Sequence, residues 1–194
     1  MKVFVPLSKQ QIQMYKSVLM KDIETLADES NVSPEFRATR AKILANLNMQ
    51  LRRLCLHPYL LHGLSSEQQT AEKMLGASGK LAVLDMLLRS LFQKRHRVVL
   101  FSQFTSMLDI LVDYCNVRGW TFCRYDGSTP RAKRNYVVNA FNAADSTIFL
   151  FLMSSRAGNL GCKFTRVSIY LQCISCLNQR IPLVLFFSES SGWI

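Results

Sequence analysis

Acidic side chains and histidines are scarce in this sequence: 13 Asp and Glu and 3 His stand among 194 residues, against 24 Lys and Arg. The resulting charge of +11 favours polyanionic partners, nucleic acid among them, and says little about fold. No apolar stretch reaches the ~18 uninterrupted residues of a membrane span. The start, MKVFVPLSK, lacks the apolar core of a signal peptide, so neither a secreted nor a membrane-spanning protein is expected. Cysteine occurs at positions 55, 115, 123, 162, 173 and 176, without the spacing of a disulfide framework. Cys115 falls on an apolar helix face and Cys123 in a strand, as reduced core thiols do, which points to a reducing compartment. Cys173 and Cys176 have no second pair and no nearby His, which argues against a metal or redox site.

A triphosphate cradle is missing as well. The run GASGKL has the wrong spacing for a phosphate loop, Leu81 where a hydroxyl is needed, and no strand before it. Asp28-Glu29-Ser30 ends a polar helical turn and does not follow a buried strand, so it is no magnesium-binding pair.

What is present centres on residues 97–161. VVLF and TIFLFLM show no alternation and are rich in β-branched and aromatic residues, which suits strands buried on both faces of a parallel sheet. Between the first two strands, Leu108, Leu111 and Cys115 recur at helical spacing, with Thr105 or Ser106 as cap and Gly119 at the left-handed C-terminal position. Before the third strand, Ser128 and Thr129 supply an N-cap, Pro130 fits the first helical position, and Val137 with Phe141 forms a stripe. The unit is β-α-β-α-β, with Ser102-Gln103, Asp126-Gly127-Ser128 and Ser154-Ser155-Arg156-Ala157-Gly158 at the carboxyl ends of its strands. In open α/β sheets that edge is the default ligand crevice. The helix after Thr129-Pro130 offers a positive dipole end with Arg131, Lys133 and Arg134, and the loop 154–161 joins hydroxyls and small residues to Arg156. Both suit a phosphate.

Upstream, residues 2–6 read as a short strand, and Ser8 with Gln11 as a capping box opening a helix striped by Ile12, Tyr15, Leu19, Ile23 and Leu26. Asn31, Ser33 and Pro34 break it. A second helix, about 35–54, carries Ile43, Leu44, Leu47, Leu51 and Leu54 inward, giving a helical hairpin with a basic outer surface. His57, before Pro58, reads as a packed or turn residue. Residues 63–77 read as an exposed polar connector, after which Ser78 opens a helix with Leu81, Leu84, Leu88 and Leu91 facing inward.

SQFTSMLDIL, YDGSTP with its basic helix, and SSRAGNLG together resemble successive motifs of the second RecA-like lobe of Swi/Snf-type DNA-dependent ATPases, a branch of the superfamily-two helicase-like motors. LSKQQIQMYKSVLMKDIETL and NLNMQLRRLCLHPYLL resemble the region linking the two lobes, the first phrase being closest to the Imitation Switch chromatin-remodelling branch. Leu56 stands where that family has Asn before His-Pro-Tyr, Ser155 where it has Thr, and Asn159 where it has the second Gly of a pair; Asn is the least costly substitute if that position has positive φ. The resemblance implies an α/β fold, a RecA-like helicase C-terminal lobe whose parallel sheet is flanked by helices and preceded by the hairpin, incomplete at its C-terminus. Its divisions are 1–62 for the inter-lobe helices, 63–77 for the connector and 78–161 for the partial lobe. Residues 162–194, where Ile-Asn-Leu, a further strand with Asp and a helix with paired arginines are expected and not found, read as a non-family tail such as a read-through intron or frameshifted exon.

The resemblance further implies a fragment of an ATP-dependent, nucleosome-sliding DNA translocase in the nucleus. Its partners are double-stranded DNA, nucleosomes and the first ATPase lobe of the parent chain, with no membrane. The implied DNA-facing residues are Ser102, Gln103, Arg124, Gly127, Ser128, Thr129, Arg131, Ser154, Ser155 and Arg156; the implied nucleotide-cleft residues are Arg156, Ala157, Gly158 and Gly161. ATP and Mg2+ belong to the parent enzyme, with no catalytic or metal-binding residue, no cofactor and no hydrolysis expected of this chain alone. The rival readings are a non-catalytic truncated module that binds DNA or a partner, and an unrelated α/β nucleotide-binding protein.

Overall fold

The computed structural model describes residues 2–26, 34–62, 70–158, 162–173 and 181–187. Its sheet has the order β1-β6-β5-β2-β4-β3, formed by β1 (Lys2–Val5), β2 (Val98–Ser102), β3 (Phe122–Tyr125), β4 (Leu150–Ser154), β5 (Ile169–Cys173) and β6 (Ile181–Phe187). β5, β2, β4 and β3 run parallel, whereas β6 is antiparallel to both β5 and β1. The expected β-α-β-α-β unit is therefore present, as β2, α6 (Thr105–Arg118), β3, α7 (Arg131–Asn142) and β4, with β4 inserted between β2 and β3.

Both faces of the central strands are covered, which is why their sequences do not alternate. Val98 and Leu100 of β2 with Leu150 and Leu152 of β4 face one apolar layer, to which α5 (Gly79–Gln93) contributes Leu81, Leu84, Leu88 and Leu91 and α6 contributes Leu108, Leu111 and Cys115. Val99, Phe151 and Met153 face the opposite layer, where Phe141 of α7 is fully buried and Val137 packs at its edge. The inward leucines of α5 and the apolar face of α6 match the periodicity of the sequence.

Helix ends match it less closely. Ser78 caps α5 by accepting from the Leu81 N–H, and Gly119 ends α6 with φ 66°, both as expected. Neither Thr105 nor Ser106 caps α6; the residue before it is Phe104, whose N–H is taken by the Ser102 hydroxyl. Likewise α7 begins at Arg131, after Pro130, with no side-chain cap, because Ser128 and Thr129 bond to Asp126 instead. Its far end is held by Arg97, whose guanidinium donates to the carbonyls of Phe141, Ala143, Ala144 and Ser146 at 2.8–3.2 Å. A cation there also complements the negative end of the helix dipole.

The helical hairpin consists of α1 (Lys9–Leu26) and α2 (Pro34–Leu56), with the capping box formed: Ser8 Oγ accepts from the Gln11 N–H at 3.1 Å, and Gln11 Oε1 accepts from the Ser8 N–H at 2.9 Å. The stripes are narrower than their spacing suggests. Ile12 is 43% exposed and Leu44 42%, whereas Gln11 is fully buried. Gln11 turns inward because its amide also donates to the Leu54 carbonyl at 2.8 Å and accepts from the Gly79 N–H at 3.3 Å. The side chains of Ile23 and Leu26 and the break at Asn31 and Ser33 lie outside the described residues.

Two segments differ from expectation. Of the connector 63–77, residues 63–69 lie outside the described residues, and Ala71–Ala77 is a helix, α4, with Met74 and Ala77 buried. Apolar residues three apart outweigh the surrounding Ser, Gln and Glu there. The segment after 161 also joins the body: Ile169 and Leu171 are buried, and β5 pairs with β2 from Val98↔Ile169 to Ser102↔Cys173. Two short helices complete the described elements, α3 (Tyr59–His62) and α8 (Ser155–Gly158).

Candidate nucleic-acid interface

Parallel pairing brings the carboxyl ends of β2, β4 and β3 to one edge: Ser102 lies opposite Ser154, and Tyr125 opposite Met153. The last residues of these strands, the loops after them and the first turns of α7 and α8 hold all the expected site residues that the structure describes. Gln103, Gly127, Ser128, Arg131, Lys133 and Arg156 are exposed there. Several others are internal.

In the first loop Ser102 is fully buried, its hydroxyl donating to the Phe104 carbonyl and accepting the Phe104 N–H, so it shapes the turn and presents nothing outward. Gln103 accepts a 2.6 Å hydrogen bond from Arg52 Nη2 of α2. The guanidinium carbons of Arg52 and Arg53 lie 5.7 and 5.9 Å from the Phe104 ring centre. Helical periodicity alone leaves these two arginines on the outer face of the hairpin. No local signal brings them to this edge, since the hydrogen bond spans 51 positions.

The second loop is built around Asp126, which is 2% exposed. Its carboxylate accepts the Ser128 N–H at 2.9 Å, the Ser128 hydroxyl and Arg124 Nε at 2.7 Å, while its own N–H goes to Thr129 Oγ1 at 3.0 Å. Burial pushes the Asp126 carboxyl up, but the hydrogen bonds from Ser128 and Arg124 and the Arg124 charge outweigh it and hold it below the usual carboxylate range. Arg124 reaches on to Asp109 of α6. It braces the loop between two carboxylates, with its side chain one-third exposed. Thr129 Oγ1 is engaged by the Asp126 N–H, and Arg134 folds back to the Thr129 carbonyl at 3.0 Å, over the Tyr125 ring. That leaves Gly127, Arg131 and Lys133 as the outward elements of this loop and helix.

In the third loop Ser154 is buried and accepts the Ala157 N–H at 3.3 Å, starting the single turn of α8. The Ser155 hydroxyl is shielded from solvent with no hydrogen-bond partner among the described residues. Arg156 is exposed and Ala157 buried; Gly158 ends the turn, and Asn159 and Gly161 lie outside the described residues.

His57 and Lys80 fall away from this edge. His57 is buried, with Nδ1 accepting the Tyr59 N–H at 3.3 Å and Nε2 3.0 Å from the Met74 carbonyl, so Nε2 carries the proton. Burial lowers its pKa to about 4. Lys80 is buried in the first turn of a helix that follows α4 and no strand, which rules out a phosphate-loop role.

Comparison with known proteins bears on this arrangement. The helicase conserved C-terminal domain family matches residues 79–180, so the likeness runs past Gly161, where the absent motifs suggest that it ends. The chain is 41% identical over 184 residues to the human SWI/SNF-related matrix-associated actin-dependent regulator of chromatin subfamily A member 1, covering 94% of this chain and 17% of that protein. It is 42% identical over 161 residues to the ISWI chromatin-remodeling complex ATPase ISW2 of Saccharomyces cerevisiae, covering 82% and 14%. The chain thus spans less than a fifth of the length of these relatives. Among solved structures, the Sulfolobus solfataricus SWI2/SNF2 ATPase C-terminal domain superposes with TM-score 0.71 at 18% identity over 88% of this chain and 69% of that one. The C-terminal part of the Fun30 ATPase domain superposes with TM-score 0.66 at 20% identity over 88% and 73%. The fold is accordingly that of a SWI2/SNF2 ATPase C-terminal lobe, and the chain belongs to the helicase conserved C-terminal domain family.

Proposed function

We propose that this chain serves as the second motor lobe of an ATP-dependent, nucleosome-sliding DNA translocase of the ISWI type, working in the nucleus. In this reading the carboxyl edge of the sheet grips the DNA backbone and closes the ATP cleft against a first lobe. The observation that carries it is the exposure of Gln103, Gly127, Arg131, Lys133 and Arg156 on the loops and first helical turns that follow the strands at one sheet edge, in a chain of net charge +11. Cations and backbone N–H groups read phosphate charge and geometry, not base identity, so the grip is independent of sequence.

ATP and Mg2+ are the fuel of the whole motor, supplying the phosphoryl chemistry when bound. The residues here fit only one side of such a cleft. Arg156 offers an exposed cation at the sheet edge beside Ala157 and Gly158, and Lys80, buried in a helix, offers no phosphate loop. Hydrolysis therefore needs the first lobe, and also the paired arginines that are not found after Gly161.

A second reading, a non-catalytic module that binds DNA or a partner, is favoured by that same lack of a phosphate loop. Titration of the chain with duplex DNA at rising salt tests the grip common to both. Affinity should fall steeply with log salt, at a slope of about −0.9 for each phosphate neutralised. A flat response, or no binding at low salt, overturns it. Adding a separately made first lobe, together with a C-terminal segment that supplies the paired arginines not found after Gly161, should give DNA-stimulated ATP hydrolysis if the motor reading is right and leave it at background if the module reading is.

A further inference from the structure

Gln103 and Phe104 sit on the edge that is read above as the DNA grip, yet what holds them comes from outside the sheet. Arg52 Nη2 lies 2.6 Å from Gln103 Oε1. A guanidinium has no acceptor, so this hydrogen bond fixes which way round the amide sits and leaves the two N–H groups of Nε2 as the donors Gln103 has to offer. One residue on, the Phe104 ring lies near both Arg52 and Arg53, and its backbone N–H and carbonyl are closed by Ser102. The end of α2 that carries these arginines is itself immobilised. Leu51 and Leu54 are buried, the Leu54 carbonyl is bonded to Gln11, and the Leu56 carbonyl accepts from Ser78 at 2.7 Å.

We infer that Arg52 is a positioning residue for Gln103, through which the inter-lobe hairpin sets the orientation of an amide donor toward the phosphodiester backbone of bound DNA. The inference rests on the reading of this edge as a backbone-binding surface. An exposed glutamine without such a partner samples many rotamers and gives up that freedom on binding, which weakens the complex. Held by Arg52, it meets the phosphate already oriented. Arg53 is the internal comparison, because it carries the same charge beside the same ring without a hydrogen bond to Gln103.

The test compares duplex-DNA affinities of the full chain and its R52A, R53A and Q103A variants, singly and combined, at one fixed salt concentration. R53A reports the removal of one charge. R52A should weaken binding about fivefold beyond R53A. In the Q103A background R52A and R53A should cost the same, because nothing is left to position. Equal effects of R52A and R53A in the unmodified chain, or an excess for R52A that survives in Q103A, overturn the inference. A second measurement needs no DNA: the side-chain amide signal of Gln103 in a 15N-labelled chain, identified by its disappearance in Q103A, should shift in R52A and stay put in R53A. An unmoved signal in R52A refutes the positioning. If the unmodified chain binds no duplex at all, the reading of the edge fails, and the amide signal still decides by itself whether Arg52 orients Gln103.

Discussion

Replacing Gln11 by Ala should destabilise the fold far more than a polar residue near the start of a helix normally would. Its side chain is fully buried and closes three bonds: to the Leu54 carbonyl at 2.8 Å, from the Ser8 N–H at 2.9 Å and from the Gly79 N–H at 3.3 Å. These reach α1, α2 and the start of α5, so one amide ties the hairpin to the lobe. A neutral hydrogen bond contributes about 1 kcal/mol net, and a buried group left unpaired costs about 1–3 kcal/mol. With the Leu54 carbonyl the most enclosed of the three partners, the sum is about 3 kcal/mol. For a chain of this length about 1 kcal/mol moves Tm by ~2–4 °C, so Q11A should melt ~6–12 °C lower. Urea unfolding followed by circular dichroism gives the midpoint and slope, with exposed Gln10→Ala as the control expected to stay within ~0.5 kcal/mol. A Q11A effect below about 1 kcal/mol at unchanged slope would refute the claim that this amide fastens the hairpin.

Other outcomes follow from buried charge. Asp85, 1% exposed on α5, accepts from the Tyr114 hydroxyl and pairs with Arg118 at 2.7 Å and Arg89 at 3.0 Å. D85A strands the part-buried Arg118 and should cost about 3 kcal/mol, whereas Y114F, which keeps the ring against Trp120, should cost about 1 kcal/mol; urea midpoints separate them. His57 has a folded pKa of about 4 against an ordinary value of 6.5. The unfolded chain then binds the extra proton first, so stability is whole above about pH 6.5 and drains away as pH falls toward 4, by about 3 kcal/mol from this group. H57Q should flatten that part of the stability profile. A Cβ at Gly79 would lie 2.2 Å from the Pro6 carbonyl oxygen, so G79A must push β1 off α5, and a Tm within ~1–2 °C of the parent would show that the approach is not so close.

Local rules carry much of the fold. The Ser8 and Gln11 box, the Ser78 cap and the left-handed Gly119 each depend on residues within a few positions of one another, and each forms as its spacing implies. Elements whose partners are distant are harder to read. Residues 71–77 look polar next to the Ser and Gln that precede them, but Met74 is buried in the apolar layer that α5 and α6 later bring to it, and His57 caps its carbonyl. Ile169 and Leu171 look foreign in the sequence because the motifs expected around them are missing. Their place beside β2 needs only an apolar residue at every second position, and they supply it.

At the site the difficulty runs the other way: the right loops are legible, but not which of their polar residues face out. Short hydroxyl and carboxylate side chains bond to nearby backbone before they bond to anything else. Ser102, Asp126, Thr129 and Ser154 do so here, the Ser128 hydroxyl donates to the Asp126 carboxylate, and Arg124 is drawn in by Asp109 and Asp126. Gln103, Arg131, Lys133 and Arg156 are long or lack a carboxylate at that spacing, and they remain at the surface. The division has a physical consequence for the proposed grip. A loop whose small polar residues are already paired changes little when DNA arrives, so less ordering entropy opposes binding and the few outward groups act from fixed positions. Mutating an inward residue such as Asp126 should then weaken DNA binding by loosening the loop, leaving the salt slope near its original value, whereas removing Arg131 or Lys133 should lower the slope itself by about 0.9 for each phosphate no longer neutralised.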